Sequence, residues 1–149
     1  MILVESLFRR LCLPAISITT VSGTPSSKDG WTITHDPLTL KWGKKDMFVD
    51  LGAERLLSAE RSGDRIAVEI KTFRSLSELA DLEQTLGQFV LYRGVLQRTD
   101  PDRELYVAVA DQVWHDVFDE PLGRLMIEDL RLKLCVFDEQ QEVIVRWIP

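Results

Sequence analysis

The chain has 149 residues, 45% of them apolar and 28% charged, which is one domain's worth of sequence and enough to bury a core. Its formal net charge of -6, from 24 acids against 18 lysines and arginines, excludes a protein that grips DNA through bulk positive charge. No run of roughly 18 apolar residues occurs, so no membrane-spanning helix is predicted.

Residues 1–28 differ from the rest. Leu3 to Leu13 is apolar with Arg9-Arg10 inside it, and Ser17 to Ser27 is rich in Ser, Thr, Gly and Pro. A secretory signal places its bases before the apolar core and a small-residue cleavage site after it. Here the bases fall within the apolar stretch, so a soluble N-terminal segment is expected, with a short helix over Val4 to Leu11 and a linker-like piece after it.

The pattern sharpens from Asp29, and residues 29–149 read as one domain. Trp31 to His35 alternates as a strand, and Asp36-Pro37 turns the chain. Lys41 to Lys45 reads as a basic loop carrying Trp42 and Gly43. Met47 to Leu51 is a second strand, continued by Arg55 to Glu60, and after the turn at Ser62-Gly63 comes the strand Arg65 to Phe73. Ser75-Leu-Ser-Glu78 has capping-box spacing ahead of a helix with Leu79, Leu82, Leu86, Phe89 and Val90 on its apolar face, ending near Leu96. Asp100-Pro101-Asp102 breaks it, Glu104 to Ala110 is a strand, and Asp111 caps a helix through Trp114, Val117 and Phe118. Pro121 opens a helical turn running to about Glu128. Leu132 to Phe137 and Val143 to Ile148 close the chain as two strands around a turn at Asp138 to Gln141.

The string with chemistry in it is Val68-Glu69-Ile70-Lys71. Side chains alternate along a strand, so Glu69 and Lys71 share a face opposite Val68 and Ile70. An acid and an amine on an otherwise apolar strand require a shared polar site, because burying either alone is costly. Asp50, after Phe48 and Val49, is a second acid in an apolar stretch. Asp50, Glu69 and Lys71 match the D…ExK core of the PD-(D/E)xK phosphodiesterases. In such a site Asp50 and Glu69, with the backbone carbonyl of Ile70, hold Mg²⁺ or Mn²⁺, and Lys71 orients water or stabilises developing charge. The pattern is weak alone, since Glu-x-Lys is also a common surface ion pair. The strand–strand–strand–helix–strand order supports it, as does Gln88 in the following helix, four residues before Tyr92 and on its face. Gln88 resembles the glutamine that RecB-type and archaeal resolvase-type nucleases set beside the metal, whereas Tyr92 reads as core.

Register raises an alternative. With a tight turn at Ser62-Gly63, Leu56 pairs with Glu69 and Glu54 with Lys71, so Asp50 reaches Glu69 only through a bulge near Gly52 or a longer excursion. Glu54 is therefore the alternative carboxylate, and Asp46 a third choice.

Beyond this motif, Asp29-Gly-Trp-Thr-Ile-Thr-His-Asp-Pro37, Lys41-Trp-Gly-Lys-Lys-Asp46, Val49-Asp-Leu-Gly-Ala-Glu54, Ile66-Ala-Val-Glu-Ile-Lys71, Leu86-Gly-Gln-Phe-Val-Leu-Tyr92 and Val145-Arg-Trp-Ile-Pro149 make the chain resemble the XisH family, the fdxN element excision controlling factors, over about four fifths of its length. The resemblance implies an α/β, restriction-endonuclease-like αβββαβ core with a mixed central sheet flanked by helices and an additional C-terminal strand pair. It implies a cyanobacterial-type accessory factor in programmed excision of the fdxN element, with a XisI-like protein as partner and DNA as a candidate ligand. Self-association stays open. Two activities stay open as well: a Mg-dependent DNA endonuclease, and a catalytically inactive protein-interaction module acting with the XisI-like partner. Residues 1–28 depart from the family, whose chains open with a helix leading into the Asp-Gly-Trp segment. Here Pro14, Pro25 and the Ser/Thr tract replace most of it, and Glu5 is only a weak substitute for an acid that helix contributes.

The remaining candidates are weaker. Cys12 and Cys135 are far apart and form neither a metal motif nor a disulfide framework, which places the protein in a reducing cytoplasm, with Cys135 buried. His35 is expected to steady a turn, and His115 to lie on a helix surface. Lys41, Lys44 and Lys45 with Trp42 are either a phosphate-contacting patch or a solvated loop with Trp42 folded onto the core. Trp114, Phe118, Leu122, Leu125 and Met126 are expected to be mostly core, and any left exposed would mark a protein interface.

Overall fold

The computed structural model describes residues 32–35, 38–47, 55–141 and 143–149. These form a mixed α/β arrangement. Strands β1 (Thr32–His35), β4 (Arg55–Arg61), β5 (Asp64–Ile70), β6 (Arg103–Ala110), β7 (Leu134–Asp138) and β8 (Val143–Ile148) make one sheet in the order β1-β4-β5-β6-β7-β8. Its centre is parallel, β5 to β6 to β7, and antiparallel neighbours flank it on both sides. Parallel strands need long crossovers, and these are α1 (Glu78–Thr99) between β5 and β6, then α2 (Asp111–Val113), a π-helical turn (Trp114–Phe118) and α3 (Pro121–Glu128) between β6 and β7.

The β4–β5 hairpin turns through Ser62 at φ 49 and Gly63 at φ 95. Two successive positive φ values match the right-handed twist of the flanking strands. This turn sets Arg61 against Asp64 and, down the ladder, Leu56 against Glu69, the register expected from Ser62-Gly63. The closing hairpin is also as expected: Asp138 accepts from the backbone N–H groups of Gln140 and Gln141 at 2.7 and 2.8 Å.

The stretch from Lys41 to Lys45 is not a loop. β2 (Leu40–Trp42) and β3 (Lys45–Met47) pair as a separate hairpin around Gly43-Lys44, with Gly43 at φ 64. Met47 therefore ends that hairpin and does not open a strand of the main sheet. Residues 48–54, most of the expected second strand, lie outside the described residues, as do residues 1–31 with the expected N-terminal helix.

The capping-box expectation is also displaced. Ser77, not Ser75, caps α1, its hydroxyl accepting from the backbone N–H of Ala80 at 3.2 Å. Ser75 instead donates its hydroxyl to the Ser77 carbonyl at 2.8 Å. Asp111 is the first residue of α2, which has no side-chain cap.

Two apolar clusters flank the sheet. One joins Ala67, Val107, Val109, Leu134 and Val136 to Leu82, Phe89, Tyr92 and Leu96 of α1, Phe118 of the π-helical turn and Met126 of α3. The other, on the opposite face, contains Ile66, Val68, Ile70, Ala108, Cys135 and Phe137. Among the described residues no helix is long and apolar enough to cross a membrane.

Candidate functional site

The end of β5 and the residue just after it place an acid and an amine in a buried position. Ala67 belongs to the cluster under α1, and Ile66, Val68 and Ile70 to the cluster on the other face, so alternation directs Glu69 and Lys71 toward α1. Both are closed to solvent, at 0% and 3% exposure. Lys71 Nζ lies 3.3 Å from Glu69 Oε1 and donates a hydrogen bond to Gln88 Oε1 on α1. The helix makes that contact because Gln88 stands between Thr85 and Tyr92, three and four residues away on the buried stripe. The Lys71 backbone N–H donates to the Ala108 carbonyl at 3.0 Å, so Lys71 is pinned to β6 at its root and to α1 at its tip.

In so dry a place two opposite charges attract far more strongly than in water, and each compensates the other's desolvation. The amine is thus oriented at the carboxyl end of the parallel strands, where open α/β sheets bind their ligands. The named donors are oxygens: the Glu69 carboxylate, the Gln88 amide and the Ile70 backbone carbonyl. That chemistry suits a hard divalent cation.

Of the expected site residues, the fold brings Glu69, Lys71 and Gln88 together. Asp50 and Glu54 lie outside the described residues, and the described β4–β5 ladder ends at Arg55 against Ile70. Asp46 stands in β3, opposite Lys41. Among the described residues no three His, Cys, Asp or Glu side chains gather as a metal cluster.

The other candidates resolve individually. His35 Nδ1 lies 2.9 Å from the hydroxyl of buried Ser58, joining β1 to β4 where a turn contact was expected. His115 is exposed, 3.7 Å from Asp111 one turn earlier. Tyr92 and Cys135 are buried in the core. Trp114, Phe118 and Met126 are core as expected, but Leu122 and Leu125 are 45% and 44% exposed, because α3 turns Met126 inward and carries these two outward.

One polar cluster went unrecognised in the sequence. Asp100, at the end of α1, accepts two hydrogen bonds from Arg65 at 2.7 and 2.8 Å and a third from Arg103 at 2.8 Å. Arg103 is buried and also donates to the Ile66 carbonyl at 3.1 Å. The available signal was an arginine opening an apolar strand, three residues after an aspartate. Beside it a cavity of about 400 Å³ is lined by Arg61, Arg65, Glu104, Tyr106 and Trp147, at the end of β5 remote from Lys71. There burial, then the hydrogen bond to Glu104, pushes the Tyr106 hydroxyl up to about 12.

A family profile described as "XisH protein" matches residues 24–145. Two solved structures are similar over most of the chain. An XisH family protein from Nostoc punctiforme PCC 73102 is 40% identical, with a TM-score of 0.74 over 82% of this chain and 91% of its own. An fdxN element excision controlling factor protein from Anabaena variabilis is also 40% identical, with a TM-score of 0.74 over 82% of this chain and 90% of its own. No curated protein matches the chain.

Proposed function

The chain belongs to the XisH family, and from that premise we propose that it is a control factor in programmed DNA excision of the fdxN-element kind, with a PD-(D/E)xK nuclease-type site at Glu69, Lys71 and Gln88. The observation that carries this reading is the solvent-closed pair of Glu69 and Lys71, met by half-buried Gln88, at the carboxyl end of β5. A plain surface ion pair would be hydrated and worth little. Sequestering these charges carries a desolvation cost that a structural pair could avoid with apolar residues.

Glu69 would hold Mg²⁺ or Mn²⁺ together with Asp50, or Glu54 as the alternative, and the Ile70 carbonyl. A bound ion would supply Lewis-acid stabilisation of a phosphoryl oxygen. Lys71 holds an attacking water or the charge developing on phosphate, and Gln88 fixes the amine so that it need not reorganise. Titration calorimetry with Mn²⁺ and Mg²⁺ tests the site: wild type binds and Glu69→Ala does not. Absent binding, or binding unchanged in Glu69→Ala, removes the metal-site reading. Incubation with nicked, branched and single-stranded DNA, comparing wild type with Lys71→Ala, then reads any cutting.

A second reading, a catalytically silent module acting with a XisI-like protein, is favoured by one observation. Leu122 and Leu125 lie on the outer side of α3, where the apolar pattern leads one to expect core. Co-purification with such a partner, lost in Leu122→Ser/Leu125→Ser, is its expected signature.

A further inference from the structure

The β2–β3 hairpin is basic, aromatic and anchored, and lies apart from Glu69, Lys71 and Gln88 in sequence. Leu40 is buried against the core under α1, so the hairpin is seated on the domain. Beyond that anchor it turns through Gly43-Lys44 and leaves Lys41, Trp42 and Lys44 exposed, Trp42 at 50%. Leu40 and Trp42 alternate to the same face of the hairpin, toward α1. The Arg98 guanidinium, at the end of α1, lies 5.8 Å from the centre of the Trp42 ring and donates to the Gly94 carbonyl at 2.8 Å. A tryptophan that served only as core filler would not leave half its surface in water with a guanidinium on its flank.

The charge around it is locally opposite to that of the whole protein. The hairpin carries Lys41, Lys44 and Lys45 against a single acid, Asp46, and Arg98 adds to the positive side. Asp100, the nearest acid along α1, is occupied by Arg65 and Arg103. Among the described residues of this chain of net charge -6, this is a confined positive patch with an indole in it.

We infer that this hairpin is a binding site for single-stranded DNA, with Trp42 stacking on a base, Lys41 and Lys44 contacting flanking phosphates and Arg98 bracing the indole. The combination of an exposed aromatic ring and flanking cations fits unstacked bases on a polyanion, whereas a duplex keeps its base faces covered. Arg98 is ten residues beyond Gln88 on the same helix, about 15 Å along its axis. A strand held at Trp42 can therefore run along α1 toward Lys71 within a few nucleotides. This inference deepens the proposed DNA role and rests on it for the choice of ligand, but it does not require cutting.

The test is fluorescence polarisation with the full chain in metal-free buffer, using a fluorescein-labelled oligothymidine of about twenty nucleotides and a mixed-sequence duplex of equal length. Wild type is expected to bind the oligothymidine more tightly than the duplex. Trp42→Ala should weaken that binding about tenfold or more. Lys41→Ala/Lys44→Ala should reduce the slope of log affinity against log salt by about 1.4, two phosphate contacts at about 0.7 each. Thermal unfolding midpoints serve as the control and should be unchanged in the hairpin variants. Equal binding by wild type, Trp42→Ala and the double lysine variant overturns the inference while leaving the nuclease-type site standing. A preference for the duplex, or no binding at low salt, also overturns it. Binding lost in the hairpin variants with no metal uptake at Glu69 upholds it and removes the metal-site reading instead.

Discussion

Gln88 accepts a hydrogen bond from Lys71 and thereby ties the end of β5 to the middle of α1. Because Lys71 is also 3.3 Å from Glu69, the three side chains form one unit in which no member changes without the others. Lys71→Met leaves the Glu69 carboxylate sequestered without its cation. Urea unfolding should show a loss of about 3–5 kcal/mol, and added Mn²⁺ should restore part of it by neutralising the same carboxylate. An unchanged midpoint would mean that Glu69 does not depend on Lys71.

Asp100 is the second electrostatic centre. It holds Arg65 through two contacts and buried Arg103 through a third, joining the end of α1 to β5 and β6. Asp100→Ala removes the closest carboxylate from Arg103, leaving Glu60 at 3.3 Å and the Ile66 carbonyl, and should cost about 1.5–3 kcal/mol in chemical denaturation.

Tyr106 gives a pH signature. Burial and the hydrogen bond to Glu104 raise its folded-state value to about 12, above the ordinary 10.0. The folded chain therefore keeps the phenolic proton that the unfolded chain gives up. This contribution to stability is fully present below pH 10 and is lost as pH rises from about 10 to about 12. Unfolding midpoints measured across that window should fall less steeply in Tyr106→Phe than in wild type.

Gly123 sits where α3 crosses the π-helical turn. A Cβ there would stand 2.6 Å from the Val117 carbonyl oxygen and 2.7 Å from that of Phe118. Backbone cannot step aside as a side chain can, so Gly123→Ala should destabilise by about 1–3 kcal/mol in thermal or chemical unfolding, despite Ala being the better helix former.

Ser77 and Ser75 separate the observed cap from the expected one. Ser77→Ala removes the acceptor for the Ala80 N–H and should cost about 1 kcal/mol of stability. In Ser75→Ala that bond is intact, and the loss should be clearly smaller.

What was legible before the fold was known follows local chemistry. Ser62-Gly63 announces a tight hairpin, and from it the pairing of Leu56 with Glu69 follows by counting. The meeting of Glu69, Lys71 and Gln88 was readable because charge on an apolar strand, and an amide on the next helix's buried side, break their own patterns. The α1 face was half readable. Leu82 and Phe89 are buried, but Leu79 and Val90 are exposed, and the stripe runs instead through Thr85, whose hydroxyl donates to the Asp81 carbonyl at 2.7 Å. Apolarity alone passes over a threonine that satisfies its own hydroxyl. The β2–β3 hairpin was hidden because its lysines mask strand alternation, and pairing is a tertiary fact. Leu122 and Leu125 looked like core because a short helix shows period without direction. Asp50 and Glu54 lie outside the described residues, so the choice between them stands as the register argument left it.

The Ser62-Gly63 turn works as a ruler for everything upstream of it. Strand side chains alternate with period two, so one residue inserted into β4 would swap inside for outside at every position between the insertion and Arg55. The chain entering β4 would then arrive one step out of phase with the strand carrying Glu69. A change of two residues along Arg55–Arg61 thus keeps every side chain on its face, whereas a change of one needs a compensating bulge.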